Sequence, residues 1–304
     1  MALAIKAEGL SRRYGDRLAV DGVDLAVPPG EVFGFLGANG AGKSTTIKML
    51  LGLVRPTAGT ALLFDKPPTD VDVRRRIGFL PEHYRFPDWL TAEELMYVHG
   101  RLLRLSAAER KKRAAVVLER VGLAARRGDR LRTFSKGMLQ RAGLAQALMG
   151  QPSVIFLDEP TSGLDPVGRA DVRALIQRLR EEGTTVFLNS HILSDVEAVC
   201  DRVAILRSGR VAAQGSLTQL LQTDAEAEVR VGNVAAETMR SLGWPATQVN
   251  GNLWRVHVSD EAATAELARK LVVAGADLYG LAIRQRSLED LFLGLARPEE
   301  QRAC

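Results

Sequence analysis

Hydrophobic and polar positions along this chain change their period several times, and each change marks an element boundary. Residues 1 to about 36 run in short apolar stretches broken by turn chemistry at Tyr14-Gly15-Asp16 and Pro28-Pro29-Gly30, which predicts strands. The last of these, Val32-Phe33-Gly34-Phe35-Leu36, is a continuous apolar run; Ile47-Lys48-Met49-Leu50-Leu51 then reads as a helix that ends near Gly52. From 91 to about 150 the rhythm is helical, with apolar residues at three- and four-residue spacing through Val116, Val117, Leu118 and Val121. Thr91 with Glu94, and Ser106 with Glu109, have the spacing of capping boxes. This stretch reads as a helical insertion in an α/β core.

The core resumes at Val154-Ile155-Phe156-Leu157-Asp158, an unbroken apolar run of the kind buried in a parallel sheet. Asp165 and Pro166 open the next helix and Gly183 closes it. The strand Thr185-Val186-Phe187-Leu188 leads into Asn189-Ser190-His191, and after Val203-Ala204-Ile205-Leu206 the core is expected to end near Leu221. Beyond it the chain has its own order: a strand at Glu228-Val229-Arg230-Val231, a helix from Ala235, a hairpin signal at Asn250-Gly251, and a strand from Leu253 to Val258. A helix from Ala262 to Ala274, a strand near Leu281-Ala282-Ile283 and a helix from Ser287 complete it. That order suggests a small ferredoxin-like α+β module.

Composition narrows the class without changing this picture. Of 304 residues, 46% are hydrophobic and 25% charged, as in a globular protein with ample core material. Charge, Gly or Pro breaks every apolar stretch before the roughly 20 residues that a membrane span requires. The N-terminus MALAIKAEGL lacks a signal core, so a cytoplasmic chain is expected, with any membrane role exerted through a partner. Cys200 and Cys304 are too few for a disulfide framework or a zinc cluster and read as reduced thiols. The net charge of +5 is compatible with nucleic acid, yet Arg alternates with Asp and Glu in RLREEG and RRGDRLR, as on solvated helix faces. His83, His99 and His257 have no partner at metal-ligand spacing. Arg126, Arg127, Arg130 and Arg132 read as one of the solvated faces.

Chemistry concentrates at two strand ends. Gly37-Ala38-Asn39-Gly40-Ala41-Gly42-Lys43-Ser44-Thr45 lies between the first apolar run and its helix, the context in which a G-x-x-x-x-G-K-[ST] loop cradles phosphate. Gly37, Gly40 and Gly42 let successive N–H groups turn toward one anion at the helix start. Lys43 is expected on the β- and γ-phosphates and Ser44 on Mg²⁺, with Asn39 and Thr45 completing the nucleotide contacts. Asp158 and Glu159 follow a buried run at the carboxyl end of a strand, where open α/β sheets bind ligands. There Asp158 can hold Mg²⁺ and Glu159 can act as general base toward water. Ser135 and Gly137 begin a further helix in Phe134-Ser135-Lys136-Gly137-Met138, and a second anion site in a chain that already has one suggests contact with ATP bound by another subunit.

These motifs, in this order over residues 4 to about 221, resemble the ATP-binding subunit of an ATP-binding cassette (ABC) transporter. The resemblance implies a P-loop NTPase cassette over 1–221 with a helical subdomain at about 88–150, and an accessory α+β domain over 222–304. It further implies that Tyr14 stacks on adenine and that Ser135-Lys136-Gly137-Met138 is the family signature. On the same grounds Asp165 belongs to the loop that crosses the dimer, and His191 is the switch histidine at the γ-phosphate. The cofactors implied are ATP and Mg²⁺. The partners are a second copy in an ATP-dependent homodimer and a separate transmembrane permease that holds the chain on the inner face of the membrane.

Two departures from the family pattern stand out. The signature carries Lys136 and Met138 where the usual form LSGGQ has glycine and glutamine. In Phe79-Leu80-Pro81-Glu82, Glu82 replaces the glutamine that senses Mg²⁺, so Glu82 becomes a candidate catalytic and metal-binding group. Both variants, and the Ser287-Leu288-Glu289-Asp290-Leu291-Phe292 tail, are similar to those of exporter-type cassettes. Tyr84, Phe86 and Trp89 either line the groove for a permease helix or form a local apolar cluster. The competing readings are a nucleic-acid- or ribosome-associated cassette ATPase, for which the coiled coil, zinc hook or second cassette is missing, and a non-hydrolysing module, against which Glu159 and His191 argue.

Overall fold

The computed structural model describes residues 2–221, 225–258, 260–284 and 287–296. Cys304 lies outside the described residues. The chain divides into two compact units, residues 1–216 and 217–304. The boundary falls five residues before the expected one.

The first unit opens with β1 (Ile5–Tyr14), β2 (Arg17–Val27) and β3 (Val32–Gly37), followed by α1 (Lys43–Leu50), β4 (Ala58–Leu63), α2 (Val71–Arg75) and β5 (Ile77–Leu80). Helices α3 (Ala92–Leu102), α4 (Ala107–Arg120) and α5 (Lys136–Leu148) come next, and then β6 (Val154–Asp158), α6 (Pro166–Glu181), β7 (Thr185–Asn189), α7 (Leu193–Val199), β8 (Arg202–Arg207) and β9 (Arg210–Ser216). Both capping boxes form: Glu94 N donates to Thr91 Oγ1 and Glu109 N to Ser106 Oγ, while Glu94 and Glu109 accept from the cap amides. Asp165 caps α6, with its Oδ1 accepting from Gly168 N at 2.8 Å. Sequence periodicity names no element between Leu53 and Leu90, because β4, α2 and β5 are each six residues or fewer and too short to establish a period.

Two sheets make this unit. Strands β2-β1-β4 form an antiparallel sheet, and β5-β6-β7-β3-β8-β9 a six-stranded sheet that is parallel up to its antiparallel edge strand β9. Ile5, Leu10, Val20 and Val27 from the first share one apolar core with Phe33, Phe35, Phe156 and Phe187 from the second. Phe187 packs against the other three rings at centroid distances of 5.2–5.6 Å. Each fully buried ring of this kind contributes roughly 1.5–3 kcal/mol. Because β5, β6, β7 and β3 run parallel, the segments that leave them emerge along one edge of the sheet.

The second unit contains α8 (Leu217–Leu221), β10 (Ala225–Gly232), α9 (Ala236–Ser241), β11 (Ala246–Asn250), β12 (Leu253–Val258), α10 (Glu261–Val273), β13 (Asp277–Arg284) and α11 (Leu288–Ala296). Helix α8 packs against α11, which places it with this unit. The sheet order is β11-β12-β10-β13, antiparallel throughout. The first strand of the module is thus central and the last lies at an edge, consistent with a ferredoxin-like arrangement. Val229, Trp254, Val256, Leu267 and Leu271 fill the core.

Candidate functional site

Glycine decides how the chain leaves β3. A Cβ on Gly37 would meet Leu206 O at 2.6 Å, and one on Gly42 would meet Ala19 O at 2.5 Å where φ is +109°. No larger residue fits either position without moving backbone. Gly42 caps α1 with no side-chain hydrogen bond, so the first amides of the helix keep their donors for an anion. Lys43 folds back over the loop, its Nζ donating to Gly37 O at 2.7 Å and to Ala38 O at 3.2 Å. Burial pulls the pKa of Lys43 below the ordinary lysine value, and Glu159, Asp158 and Glu82 nearby hold it up.

Glu159 follows β6 and adopts a left-handed backbone at φ +54°, a costly conformation for a side-chain-bearing residue that recurs at working sites. Its amide donates to Asn189 O at 2.8 Å, and its Oε2 lies 2.6 Å from His191 Nδ1. Burial raises the pKa of Glu159 above its ordinary value, and His191 draws it back. Asp158 is likewise raised by burial, opposed by the hydrogen bond that Asn189 Nδ2 donates to it.

One cavity of about 630 Å³ gathers these groups, lined by Tyr14, Arg17, Ala19, Asn39, Gly40, Gly42, Lys43, Ser44, Thr45, Glu82, Glu159, Asn189 and His191. Gly37 and Asp158 are buried and do not line it. Tyr14 is 45% exposed, with the Arg12 guanidinium 4.6 Å from its ring centroid. Ser135, Gly137 and Asp165 lie elsewhere, in a second concavity of about 470 Å³ with Arg126, Met138, Arg141 and Gly163. The nucleotide and catalytic candidates therefore fall into two sets on one chain. A third cavity, of about 540 Å³, is lined by Lys112, Arg113, Leu148, Ser153 and Thr184 near the amino ends of β6 and β7 and holds none of them.

The site has the donors that Mg²⁺ and a nucleotide phosphate require. Asn189 Oδ1 is buried beside Asp158 with no hydrogen-bond partner among the described residues, an acceptor that a metal-bound water would satisfy. The Ser44 hydroxyl and the Asp158 and Glu82 carboxylates are hard oxygen donors. Among the described residues no cluster of three His, Cys, Asp or Glu side chains is built to hold a metal alone. Few protein ligands, with phosphate and water completing the shell, is the usual pattern for Mg²⁺.

Sequence reading missed Arg17, Asn189, Gln140 and the position of Arg126. Arg17 pairs with Tyr14 across the β1–β2 turn, and its Nη2 lies 3.8 Å from where a Cβ on Gly40 would sit. The turn at Gly15 signals that pairing. Asn189 is in register with Asp158 across β6 and β7, a relation that only strand pairing reveals. Tyr84 and Phe86 stack at 4.9 Å while Trp89 is 68% exposed, so the three do not form one cluster.

Comparison with known proteins identifies the family. The profile of the ABC transporter family matches residues 20–162. An uncharacterized ABC transporter ATP-binding protein of Synechocystis sp. is 42% identical, covering 89% of this chain and 76% of its own length. The Nod factor export ATP-binding protein I of Paraburkholderia xenovorans is 34% identical with 98% of each chain covered. Among solved structures, a dimeric ATP-binding cassette in a post-hydrolysis state with ADP and Pi superposes with a TM-score of 0.64 at 28% identity, covering 70% of this chain and 98% of that one. The chain belongs to the ABC transporter family as an ATP-binding subunit, and its chemistry is ATP hydrolysis.

Proposed function

We propose that two copies of this chain close around two ATP molecules and that the cycle of closure and hydrolysis drives a separate membrane permease in the export direction. The carrying observation is the division of candidate groups between two concavities. Lys43, Glu159 and His191 share one, whereas Ser135, Gly137 and Asp165 share another, as expected of half-sites completed by a second copy. In this reading Tyr14 stacks on adenine and the loop from Gly37 to Thr45, with Asn39 and Gly40, wraps the phosphates. Lys43 neutralises the two terminal phosphates. Ser44, Asp158 and Glu82 would hold Mg²⁺, which when bound would help neutralise the charge of the terminal phosphates.

Glu159 accepts the proton of the attacking water, and the raised pKa that burial gives it makes it a stronger base than a surface carboxylate. His191 holds Oε2 of that carboxylate and fixes its orientation. The export direction is supported by the Lys136, Met138 and Glu82 variants and by the export protein that matches the whole chain. Among the described residues no helix is long and apolar enough to cross a membrane, which is why the permease is a separate chain on this reading. The chain then sits on the inner membrane face through that partner.

Glu159→Gln tests the assignment. It keeps the shape of the site and removes the base, so phosphate release should fall by roughly 10² or more. ATP should still bind, and the variant should elute as an ATP-dependent dimer. Phosphate release near the native rate would overturn the reading.

A further inference from the structure

Gln140 is buried at 5% exposure inside α5, and no step described so far uses it. A buried carboxamide is costly unless both of its ends are bonded. Here both are. Gln140 Nε2 donates to Pro160 O at 2.9 Å, and Gln140 Oε1 accepts from the Tyr84 hydroxyl at 2.7 Å. One side chain thus joins three segments: the turn just after Glu159, the helix that begins beside Ser135, and the stretch two residues beyond Glu82.

The turn it holds is strained. Glu159 sits at φ +54°, and its neighbouring backbone is pinned from within the sheet and the turn, by its amide on Asn189 O at 2.8 Å and by Ser162 N on Glu159 O at 3.2 Å. Of these contacts, the one from Gln140 to Pro160 O comes from a helix. We propose that Gln140 is the positioning residue of the general base: its bond to Pro160 O holds the Glu159 turn in place, and its bond from Tyr84 holds Gln140. This rests on the reading of Glu159 as base. Five residues, roughly 7.5 Å along the helix, separate Gln140 from Ser135. A second copy that engages Ser135 therefore pulls on the helix that sets the base in the opposite site.

Gln140→Met, Tyr84→Phe and the double variant test the proposal in the full chain, with ATP affinity, kcat, KM and melting temperature measured beside Glu159→Gln. A misplaced base lowers kcat without weakening the phosphate loop. We expect Gln140→Met to lower kcat about 10- to 10²-fold with KM for ATP within about twofold of native. Tyr84→Phe, the milder change, should lose several-fold, and the double variant should lose no more than Gln140→Met, because both act through one contact. A purely structural role would lower the melting temperature and leave kcat per ATP-binding site unchanged in Tyr84→Phe, which overturns the proposal. Costs that add in the double variant, or a rise in KM at constant kcat, overturn it as well. Loss of activity in Glu159→Gln with native kcat in the Gln140 and Tyr84 variants would reject this inference alone; native activity in Glu159→Gln would reject the site assignment beneath it.

Discussion

The two units of the chain differ in how many polar side chains they bury. In the first, Lys43, Gln140, Asp158, Glu159, Asn189 and Asp195 are buried, together with several threonines and Ser190; in the second, among the described residues, the buried polar side chain is Thr264. Both units also pair charges at partly exposed positions, as Arg120 with Glu182 at 2.8 Å in the first, and in the second Glu228 with Arg255 at 3.6 Å and Arg284 at 3.3 Å, and Arg284 with Asp290 at 3.1 Å. Exposed pairs cost little and contribute little, typically about 0–1 kcal/mol. Buried ones must be held by a surrounding framework, and perturbed groups in a cavity mark the place where chemistry occurs. Burial of charge, rather than its amount, separates the catalytic unit from its companion.

Lys43→Ala is the sharpest way to break that comparison. It removes the buried cation and leaves phosphate uncompensated, so kcat/KM for ATP should fall by roughly 10² or more, measured by phosphate release across an ATP titration. Mixed with a Ser135→Arg subunit, inactive alone, it should regain part of the activity, since one site in the mixed dimer is intact. Wild-type turnover by Lys43→Ala alone would remove the first unit from the chemistry.

The pH profile carries the next effect. As the proposed base, Glu159 works only when ionised, and burial sets its pKa above the ordinary value, so kcat should decline with falling pH earlier than a surface glutamate near pH ~4.3 would dictate. His191 lowers that pKa, so His191→Ala should move the acid limb to higher pH as well as slow the reaction. An unshifted limb would break the link between the pair seen at 2.6 Å and the base.

Removing the second unit should have a smaller effect. A chain ending at Ser216 keeps every buried polar group of the cavity, so it should bind ATP as the full chain does. We propose that the second unit pairs across the dimer, and the shortened chain should then need about tenfold more protein to reach the same specific activity. Superimposable activity–concentration curves would assign the unit another task. Smallest of all is Glu228→Gln. It breaks two half-exposed ion pairs and should shift stability by at most about 1 kcal/mol in denaturant unfolding, with native ATPase activity.

Much of this was legible in the sequence because local rules carry it. The phosphate loop, the capping boxes, the buried runs of β3, β6 and β7 and the βαββαβ order of the second unit are all set by contiguous residues, through conformational freedom at glycine and hydrophobic period. Glu159 and Lys43 were likewise visible from their neighbours in the chain. Gln140 was not, since a glutamine in a helix reads as surface until its partners at Tyr84 and Pro160, 56 and 20 residues away, are brought to it. Asn189 gained meaning only by standing in register with Asp158, and Arg126 by lying beside Ser135 and Asp165. The short elements β4, α2 and β5 had too few residues to show a period. Sequence alone therefore named the candidate groups for the chemistry. The tertiary structure decided which of them share a cavity, because strand order and burial bring together residues that no local interaction connects.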